Sequence, residues 1–287
     1  MKHIVNFTRA ACKVSRVQER KTFIAGFSLN AQIFRILCSG RWSPEQARAR
    51  YDPAHYILPS PHEVFSLSHW QKLLAANDEH LFNGQLFRLE NYKATAQRLE
   101  LGLGHTCYRD QIYCNAHVAE LVRAYGETVL ARGLGVSAII ITSDDYLPMM
   151  RRSAHVGEEP GKLDVFGGHA HPDQHLRNGR PDLFAAIEDE VVAELNVSAD
   201  GFASNFCCGL VENLKTHKPD LVFVIHVRNT RQEVEQLANH AAEAEEMTEL
   251  LFLPNSAHAL NEFIASAQLQ LTPSALASLS LFASTFY

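Results

Sequence analysis

The chain has 287 residues, of which 46% are hydrophobic and 20% charged, a composition typical of a globular protein with a sizeable core. Its net charge of −6 argues against nonspecific nucleic-acid binding, which depends on Lys and Arg side chains that neutralise phosphates. No apolar run approaches the roughly 20 residues of a membrane span, and the N-terminus lacks the apolar stretch of a signal peptide. We therefore expect a cytoplasmic protein that binds neither membranes nor nucleic acids.

The cysteines form no C-x-x-C pair, which argues against a zinc knuckle. In a cytoplasmic protein they are expected to be reduced, buried thiols. Adjacent Cys207 and Cys208 fall in a predicted strand, so their side chains should point to opposite faces of a sheet. The other four are Cys12, Cys38, Cys107 and Cys114.

Residues 1–80 differ in pattern from the rest and predict a small α/β extension ahead of a main domain over 81–287. Within the extension, Pro44 suits the first turn of a helix that we expect to run to about Tyr51. Prolines then break the helical pattern, and a short helix is predicted over 69–76.

The role of this N-terminal extension stays open. The prolines leave residues 53–68 as a linker or as a loop wrapped over the main domain. The extension as a whole has three candidate roles: it covers the sheet, lines part of the ligand pocket, or forms the contact of a homodimer.

From residue 81 onward, strand and helix patterns are interspersed, which predicts an α/β fold. Alternating or β-branched apolar runs predict strands over 87–90, 99–104, 136–141, 162–166, 206–213, 221–227 and 250–253. Apolar residues at helical spacing predict helices over 118–132, 182–195, 233–244, 255–267 and 273–283.

The helix over 182–195 carries the most informative pattern. Its apolar residues repeat every four positions and form one core-facing stripe of Leu183, Ile187, Val191 and Leu195. Glu190 and Glu194 also stand four apart, so their carboxylates lie one above the other on one face. Such a pair is either an ordinary solvated face or a site for a hard divalent cation such as Mg²⁺ or Mn²⁺.

Two glycines ahead of this helix favour the second interpretation. A strand ending in Gly167 and Gly168 lets the backbone approach a ligand closely, and the carbonyl of Gly167 is a candidate metal ligand. The sequence therefore predicts a metal site between the end of this strand and the face that carries Glu190 and Glu194.

Strand, Gly-Gly, loop and a helix with E-x-x-x-E together resemble the Nudix box, G-x5-E-x7-R-E-U-x-E-E-x-G-U, where U is aliphatic. Glu190 and Glu194 match two of its glutamates. Val191 and Val197 match two aliphatic positions. The loop that follows Gly168 is about seven residues longer than usual.

Four positions depart from the box. Asp189 stands in place of the Arg, Ala193 in place of the first of the paired glutamates, and Asn196 in place of the second Gly. Asp182 lies only near the position of the first Glu.

A longer segment, roughly residues 80–255, resembles the eukaryotic Nudix hydrolases that cleave UDP-sugars. The similar segments are 87–89, 101–110, 134–136, 143–146, 151–153, 164–169 and 243–248. The resemblance implies a Nudix-type α/β/α sandwich with a mixed sheet. It also implies Mg²⁺-dependent hydrolysis of UDP-glucose or UDP-galactose to UMP and hexose 1-phosphate, with Mn²⁺ as a substitute metal.

Within that resemblance, Glu190, Glu194 and the Gly167 carbonyl are expected to bind the metal. One of these glutamates, or Glu246 on a late acidic loop, orients or deprotonates the attacking water; the alternative for Glu246 is plain solvation.

The remaining candidates would contact the substrate, and each has a structural alternative. Arg109, Arg151 and Arg152 offer bidentate contacts to phosphate or form ion pairs with neighbouring Asp residues. Tyr108 and Phe87 stack on uracil or pack as buried aromatics. Asp144 and Asp145 accept hydrogen bonds from the nucleoside or cap a turn.

Other functions stay open beside this one. Another nucleoside diphosphate derivative, such as ADP-ribose or a dinucleotide, is the nearest alternative substrate. A catalytically weak regulatory module is a second alternative, because Ala193 removes one glutamate. His169, His171 and His175 have a spacing that suits a transition metal, although solvated histidines on a loop are the simpler interpretation.

Overall fold

The protein's structure, a computed structural model, describes residues 33–76, 81–154 and 156–287. The strands in these ranges are β1 Phe34–Trp42, β2 Ala47–His55, β3 Gln85–Ala94, β4 Leu99–Cys107, β5 Gly135–Ile141, β6 Tyr146–Arg152, β7 Leu163–Asp164, β8 Phe166–His169, β9 Leu176–Arg177, β10 Arg180–Pro181, β11 Phe202–Asn213, β12 Pro219–Val227 and β13 Met247–Pro254. The helices are α1 His62–Ala76, α2 Tyr108–Tyr125, α3 Pro172–His175, α4 Leu183–Leu195, α5 Arg231–Ala238, α6 Ala257–Ala267 and α7 Pro273–Phe286.

A mixed sheet of order β1-β11-β12-β5-β8 forms the centre of the fold. Strands β12 and β5 pair in parallel, whereas β1 with β11, β11 with β12 and β5 with β8 pair antiparallel. Two smaller sheets have the orders β2-β4-β3 and β13-β6-β7, and β9 pairs with β10. The chain therefore has the mixed sheet that the Nudix resemblance implies.

The central sheet is covered on both faces, and apolar residues of β5 point into the core on each side. Val136, Ala138 and Ile140 pack in one core with the stripe of α4. Ile139 and Ile141 pack in a second core with residues of α7 such as Leu276 and Leu279. This α/β/α layering confirms the predicted sandwich.

The two adjacent cysteines illustrate the same alternation. Cys207 belongs to the core beneath α4, and Cys208 to the core beneath α7, as expected for neighbours on a strand. Cys38, Cys107 and Cys114 are free thiols as well, and Cys12 lies outside the described residues.

The helix predicted over 44–51 is wrong. Residues 44–46 form a turn, and Ala47–His55 is the strand β2, paired in parallel with β4. Ala47, Ala49 and Tyr51 pack against the core while the arginines between them do not, so the segment has a strand's period of two. The helix was predicted because Pro44 suits a first helical turn, although residues 47–51 alternate as a strand does.

Several predicted boundaries shift. Helix α2 begins at Tyr108, ten residues before the predicted start, with a kink at His117. The predicted strand over 162–166 is two short strands, because β7 pairs with β6 and β8 pairs with β5. Helix α5 is shorter than predicted and begins with a capping box formed by Thr230 and Glu233.

Residues 34–76 contribute directly to the fold that follows. Strand β1 pairs with β11 in the central sheet, and α1 packs against α2. The stretch over 53–68, predicted as a linker or loop, contains the end of β2 and the start of α1. The predicted boundary at residue 80 stays a prediction. In the described ranges, no helix is both long and apolar enough to cross a bilayer.

Candidate active site

Helix α4 begins and ends at residues whose side chains or backbone suit its termini. Asp182 is the N-cap, and its Oδ1 accepts a hydrogen bond from the N–H of Ala185 at 3.0 Å. Asn196 follows the last turn with φ 56° and ψ 25°, a left-handed conformation that Asn tolerates better than most residues. The helix is thereby held at both ends across the face of the central sheet.

The two glutamates of α4 meet the glycine pair of β8. The backbone N–H of Gly167 donates a hydrogen bond of 2.8 Å to Oε2 of the buried Glu194. The half-buried carboxylate of Glu190 accepts from the backbone N–H of His169. A Cβ atom on Gly168 would overlap Oε1 of Glu190, so any larger residue there would displace that carboxylate from its present position. The predicted convergence of Gly167, Gly168, Glu190 and Glu194 is what the structure contains.

Burial and mutual repulsion make both carboxylates hold protons more tightly than free glutamate does. Burial, then the charge of Glu243, raises the pKa of Glu190 to about 7. Burial, then the charge of Glu190, raises the pKa of Glu194 well above its usual value. A nearby cation would relieve both effects.

An acidic loop that contains Glu243 and Glu246 lies near Glu190 and Glu194. Glu243 and Glu246 belong to the segment that ends in the 3-10 turn Ala244–Glu246, and their charges contribute to the raised pKa of Glu190. Within the described residues none of these four carboxylates has an ion pair.

This donor set suits a hard divalent cation, which prefers carboxylate oxygens. No three acidic, His or Cys side chains in the described residues already converge at metal-ligand distances. Glu190 and Glu194 would therefore need a backbone oxygen such as that of Gly167, or another side chain, to complete the coordination of a metal.

Cationic and aromatic groups border the same strand end. The ring of Tyr108, at the start of α2, lies 6.1 Å from that of His169 between their centroids in an edge-to-face arrangement. Arg152 donates from Nε to the carbonyl of Glu158 at 3.0 Å and pairs with the buried Asp164 at 3.2 Å.

Lys218 completes this cationic side. Its Nζ lies 3.5 Å from the carboxylate of Glu158. Burial acts to lower the pKa of Lys218, but the carboxylates of Glu158, Asp220 and Asp164 outweigh burial and raise it. Lys218 therefore stays charged.

His169 carries a buried nitrogen without a partner. Its Nε2 makes no hydrogen bond with any described residue. Burial, together with the charges of Lys218 and Arg152, holds the pKa of His169 well below its usual value, so the ring is neutral at physiological pH. A buried polar atom of this kind is available to a ligand.

Four of the predicted substrate contacts have structural partners instead. Phe87 is fully buried in the core and packs edge to face against Tyr51, with ring centroids 5.2 Å apart. Its predicted stacking on uracil is therefore wrong, because no part of the ring is accessible. Arg109 forms an ion pair of 2.8 Å with the buried Asp110, as its structural alternative predicts.

Asp144 and Arg151 also have partners of their own. Asp144 accepts from the backbone N–H of Arg231 at 2.8 Å, at the start of α5. Arg151 pairs with Glu249 at 2.8 Å across strands β6 and β13. Of the three predicted arginines, Arg152 is the one that borders both Tyr108 and His169.

The histidines that follow the glycine pair are less solvated than expected. His175 is buried with its Nε2 3.3 Å from Oδ2 of Asp189, and His171 contacts the carbonyl of Gln85 through Nδ1 at 2.9 Å. The structure brings no third ligand to them, so the transition-metal alternative has no support among the described residues.

Sequence reasoning missed Glu243, Lys218 and Glu158 as members of the site. Glu243 precedes the predicted Glu246 by three residues, and its place in the acidic run was the only available signal. Lys218 and Glu158 lie far apart in the chain and carry no motif, so only folding brings them together.

Relatives of known name match most of the chain. Uridine diphosphate glucose pyrophosphatase of Bos taurus is 30% identical over 247 residues, which cover 76% of this chain and 85% of the relative. The chain belongs to the Nudix hydrolase family. It is a Nudix pyrophosphohydrolase. The human protein of the same name is 29% identical over 247 residues, covering 76% of this chain and 81% of its own. Nudix hydrolase 9 of Arabidopsis thaliana is 27% identical over 250 residues, covering 75% and 80% respectively.

The comparisons with family models and with solved structures show less similarity. No family model matches the chain. The crystal structure of DR0079 from Deinococcus radiodurans is 18% identical with a TM-score of 0.38, covering 54% of this chain and 83% of its own. The MutT protein of Methanosarcina mazei Go1 is 19% identical with a TM-score of 0.32, covering 53% and 88%.

The structure explains how this Nudix chain accommodates its departures from the usual box. Asn196 adopts the left-handed conformation that the box assigns to glycine. Asp189, in place of the Arg, has its carboxylate 3.3 Å from Nε2 of His175. Asp182, near the position of the first Glu, is the N-cap of α4.

Proposed function

We propose that this Nudix enzyme hydrolyses the pyrophosphate bond of UDP-glucose or UDP-galactose in a reaction that requires Mg²⁺. Water attacks one phosphorus atom and the bridging P–O bond breaks. The products are UMP and hexose 1-phosphate, with release of a proton. Bovine and human relatives that carry the name uridine diphosphate glucose pyrophosphatase support this choice of substrate.

The observation that carries the proposal is the placement of Glu190 and Glu194 beside the glycine pair. Two stacked carboxylates that backbone N–H groups hold, and that no described cation neutralises, form the side of a site that a divalent metal would complete. Glu190 and Glu194 would hold the metal with the carbonyl of Gly167. When bound, Mg²⁺ shields the pyrophosphate charge and polarises a phosphoryl oxygen, and Mn²⁺ is expected to substitute for it.

The acidic loop is the proposed source of the group that positions the attacking water. Glu246 is exposed, and its charge reaches both Glu190 and the hydroxyl of Tyr108. A carboxylate there can accept a proton from water at the edge of the site. Its neighbour Ser153 donates a backbone hydrogen bond of 2.7 Å to the Glu246 carbonyl, which fixes that part of the loop.

The cationic side is the proposed location of the phosphates and sugar. Arg152 and Lys218 offer positive charge, and Nε2 of His169 offers an unused hydrogen-bonding atom. Tyr108 would cover the ligand with its ring. Because the ion pairs of Arg152 and Lys218 already orient these side chains, little entropy is lost when the substrate binds.

The test is direct. The full chain is incubated with UDP-glucose and Mg²⁺, and UMP release is measured. Wild type should release UMP, EDTA should abolish release, and Glu194→Gln should lower kcat by about 100-fold or more, since the metal site loses a charge that the transition state needs. Equal rates for wild type and Glu194→Gln, or turnover that survives EDTA, would refute the chemistry.

The nucleobase and sugar need a separate experiment. A panel of UDP-, ADP- and GDP-linked substrates, including UDP-galactose, ADP-ribose and a dinucleotide, is compared by kcat/KM. A preference for the UDP-sugars supports the proposal. A preference for ADP-ribose or a dinucleotide would assign the enzyme to the alternative substrate class, and uniformly negligible rates would favour a regulatory module.

A further inference from the structure

The position of Ala193 has an unexpected neighbour. In the Nudix box this position holds a glutamate, and here the methyl side chain offers no ligand. The carbonyl of Ala193 lies in the last turn of α4, where carbonyl groups lack a backbone N–H donor within the helix. The backbone N–H of Glu243 donates to that carbonyl at 3.0 Å.

This hydrogen bond joins the acidic loop to the helical turn that carries the metal-binding face. Helix α4 and the 3-10 turn Ala244–Glu246 are in contact, as the bond requires. The Cα atom of Glu243 is therefore held next to Ala193, one turn from Glu190 and adjacent to Glu194. The backbone of a glutamate from a distant part of the sequence thus lies next to the position where the box would place a carboxylate.

The charges support the same placement. Glu243 is half-buried and has no ion pair within the described part of the chain. After burial, its charge is the largest contributor to the raised pKa of Glu190, ahead of Glu246, and it also raises the pKa of Glu194. Burial, then the charge of Glu246, raises the pKa of Glu243 itself.

We propose that Glu243 supplies the third carboxylate of the metal site and so replaces the glutamate that the box lacks at Ala193. The inference rests on the metal site of the proposed function. The carboxylates do not yet converge at metal-ligand distances in the described residues, and mutual repulsion of unneutralised charges favours their separation. The proposal requires the side chain of Glu243 to turn its carboxylate toward Glu190 while the backbone bond to Ala193 is kept.

Neighbouring acidic residues on the loop are less well placed. Glu245 is exposed and makes no described contact with the α4 glutamates. The backbone of Glu246 is bonded to Ser153, at the end of β6, rather than to α4. Of the three, Glu243 is the one whose main chain is hydrogen-bonded to the metal-binding helix.

The experiment measures Mg²⁺ binding by calorimetry in the full chain without substrate. Glu243→Gln should weaken binding by about 10- to 100-fold, the range seen when groups that support a metal site are removed. Glu245→Gln, the matched control in the same turn, should bind within about twofold of wild type, because its side chain lies outside the site. The double variant Ala193→Glu/Glu243→Gln should recover affinity to within about threefold of wild type, since a carboxylate is restored on the helix itself.

Wild-type affinity in Glu243→Gln would overturn the inference. So would a folded double variant that binds no better than Glu243→Gln; if the double variant does not fold, the comparison of Glu243→Gln with Glu245→Gln decides alone. Circular dichroism establishes folding for each variant.

Measuring UMP release beside Mg²⁺ binding distinguishes a failure of the proposed function from a failure of the Glu243 assignment. If wild type binds Mg²⁺, Glu243→Gln loses it and neither releases UMP from UDP-glucose, the ligand assignment stands and the substrate is wrong. If wild type releases UMP and Glu243→Gln retains Mg²⁺ affinity, the substrate stands and the role of Glu243 is wrong.

Discussion

The backbone N–H of Gly167 donates a 2.8 Å hydrogen bond to Oε2 of Glu194, which joins β8, the edge strand of the central sheet, to the last turn of α4. Because a backbone group fixes this carboxylate, its position depends on the path of the strand as well as on the helix. Substitutions in the glycine pair should therefore act on the site in two distinguishable ways.

We predict that Gly168→Ala lowers Mg²⁺ affinity by about tenfold while leaving the thermal midpoint nearly unchanged. The new Cβ would overlap Oε1 of Glu190, the end of a side chain that can move aside. Calorimetry and thermal unfolding measure the two effects. A variant that binds Mg²⁺ as wild type does would show that the position of the Glu190 carboxylate is not critical.

Gly167→Ala should instead destabilise the fold, by about 1–3 kcal/mol. Its φ of +143° is unfavourable for L-residues, and a Cβ there would overlap the backbone carbonyl of Val136. Gly179→Ala is the matched control, because Gly179 has a positive φ of 73° but open space around its Cβ position. Equal losses of unfolding free energy for the two variants would mean that the contact with Val136 adds nothing.

Mg²⁺ affinity should depend on pH through Glu190, whose pKa burial and then Glu243 raise to about 7. The metal binds the carboxylate and not the acid, so affinity rises as pH rises through about 7, and binding at about pH 6 releases protons that binding at about pH 8.5 does not. Calorimetry in buffers of different ionisation enthalpy measures this release. Proton release that persists in Glu190→Gln would point to another group.

The same shift has a consequence for the metal-free protein. The folded state holds the Glu190 proton more tightly than the unfolded state, where the pKa is near 4.5. Stability contributed by this group is therefore greatest at low pH and is lost as pH rises from about 4.5 to about 7. Added Mg²⁺ should raise stability most on the alkaline side of that interval.

Arg152→Lys should raise KM for UDP-glucose by about tenfold with a smaller change in kcat, because Lys keeps the charge but loses the planar group that contacts two partners at once. Those partners are Asp164 and the carbonyl of Glu158. Arg151→Lys serves for comparison, since Arg151 is directed to Glu249, and its KM should change less than about threefold. Equal changes in steady-state KM for Arg152→Lys and Arg151→Lys would contradict the prediction, because Arg152 would then be no nearer to the substrate than Arg151.

Asp182→Ala should cost about 1 kcal/mol of unfolding free energy, because the N–H of Ala185 loses its cap. Asp182→Asn should retain most of that stability, since Asn also caps helices well. Chemical denaturation measures both. If Asp182→Ala instead abolished Mg²⁺ binding in a folded protein, Asp182 would contribute to the metal site as well as cap α4.

The sequence by itself determined the elements whose pattern is local. The four-residue stripe of α4, the β-branched run of β5 and the continuous apolar runs of β11 and β12 are recorded in neighbouring residues, so their positions could be predicted. The same holds for Glu190 and Glu194, since helical geometry alone puts residues four apart on one face. The adjacent glycines marked the strand end that these carboxylates meet.

Only the tertiary structure decided which residues from distant parts of the chain lie near them. Glu243 reaches Ala193 through a backbone hydrogen bond across about fifty residues of sequence, and Lys218 meets Glu158 across sixty. Phe87 proved inaccessible because the core closes over it, and Arg109 is occupied by Asp110. Burial and long-range pairing depend on how separate elements pack, and no local period in the sequence records that packing.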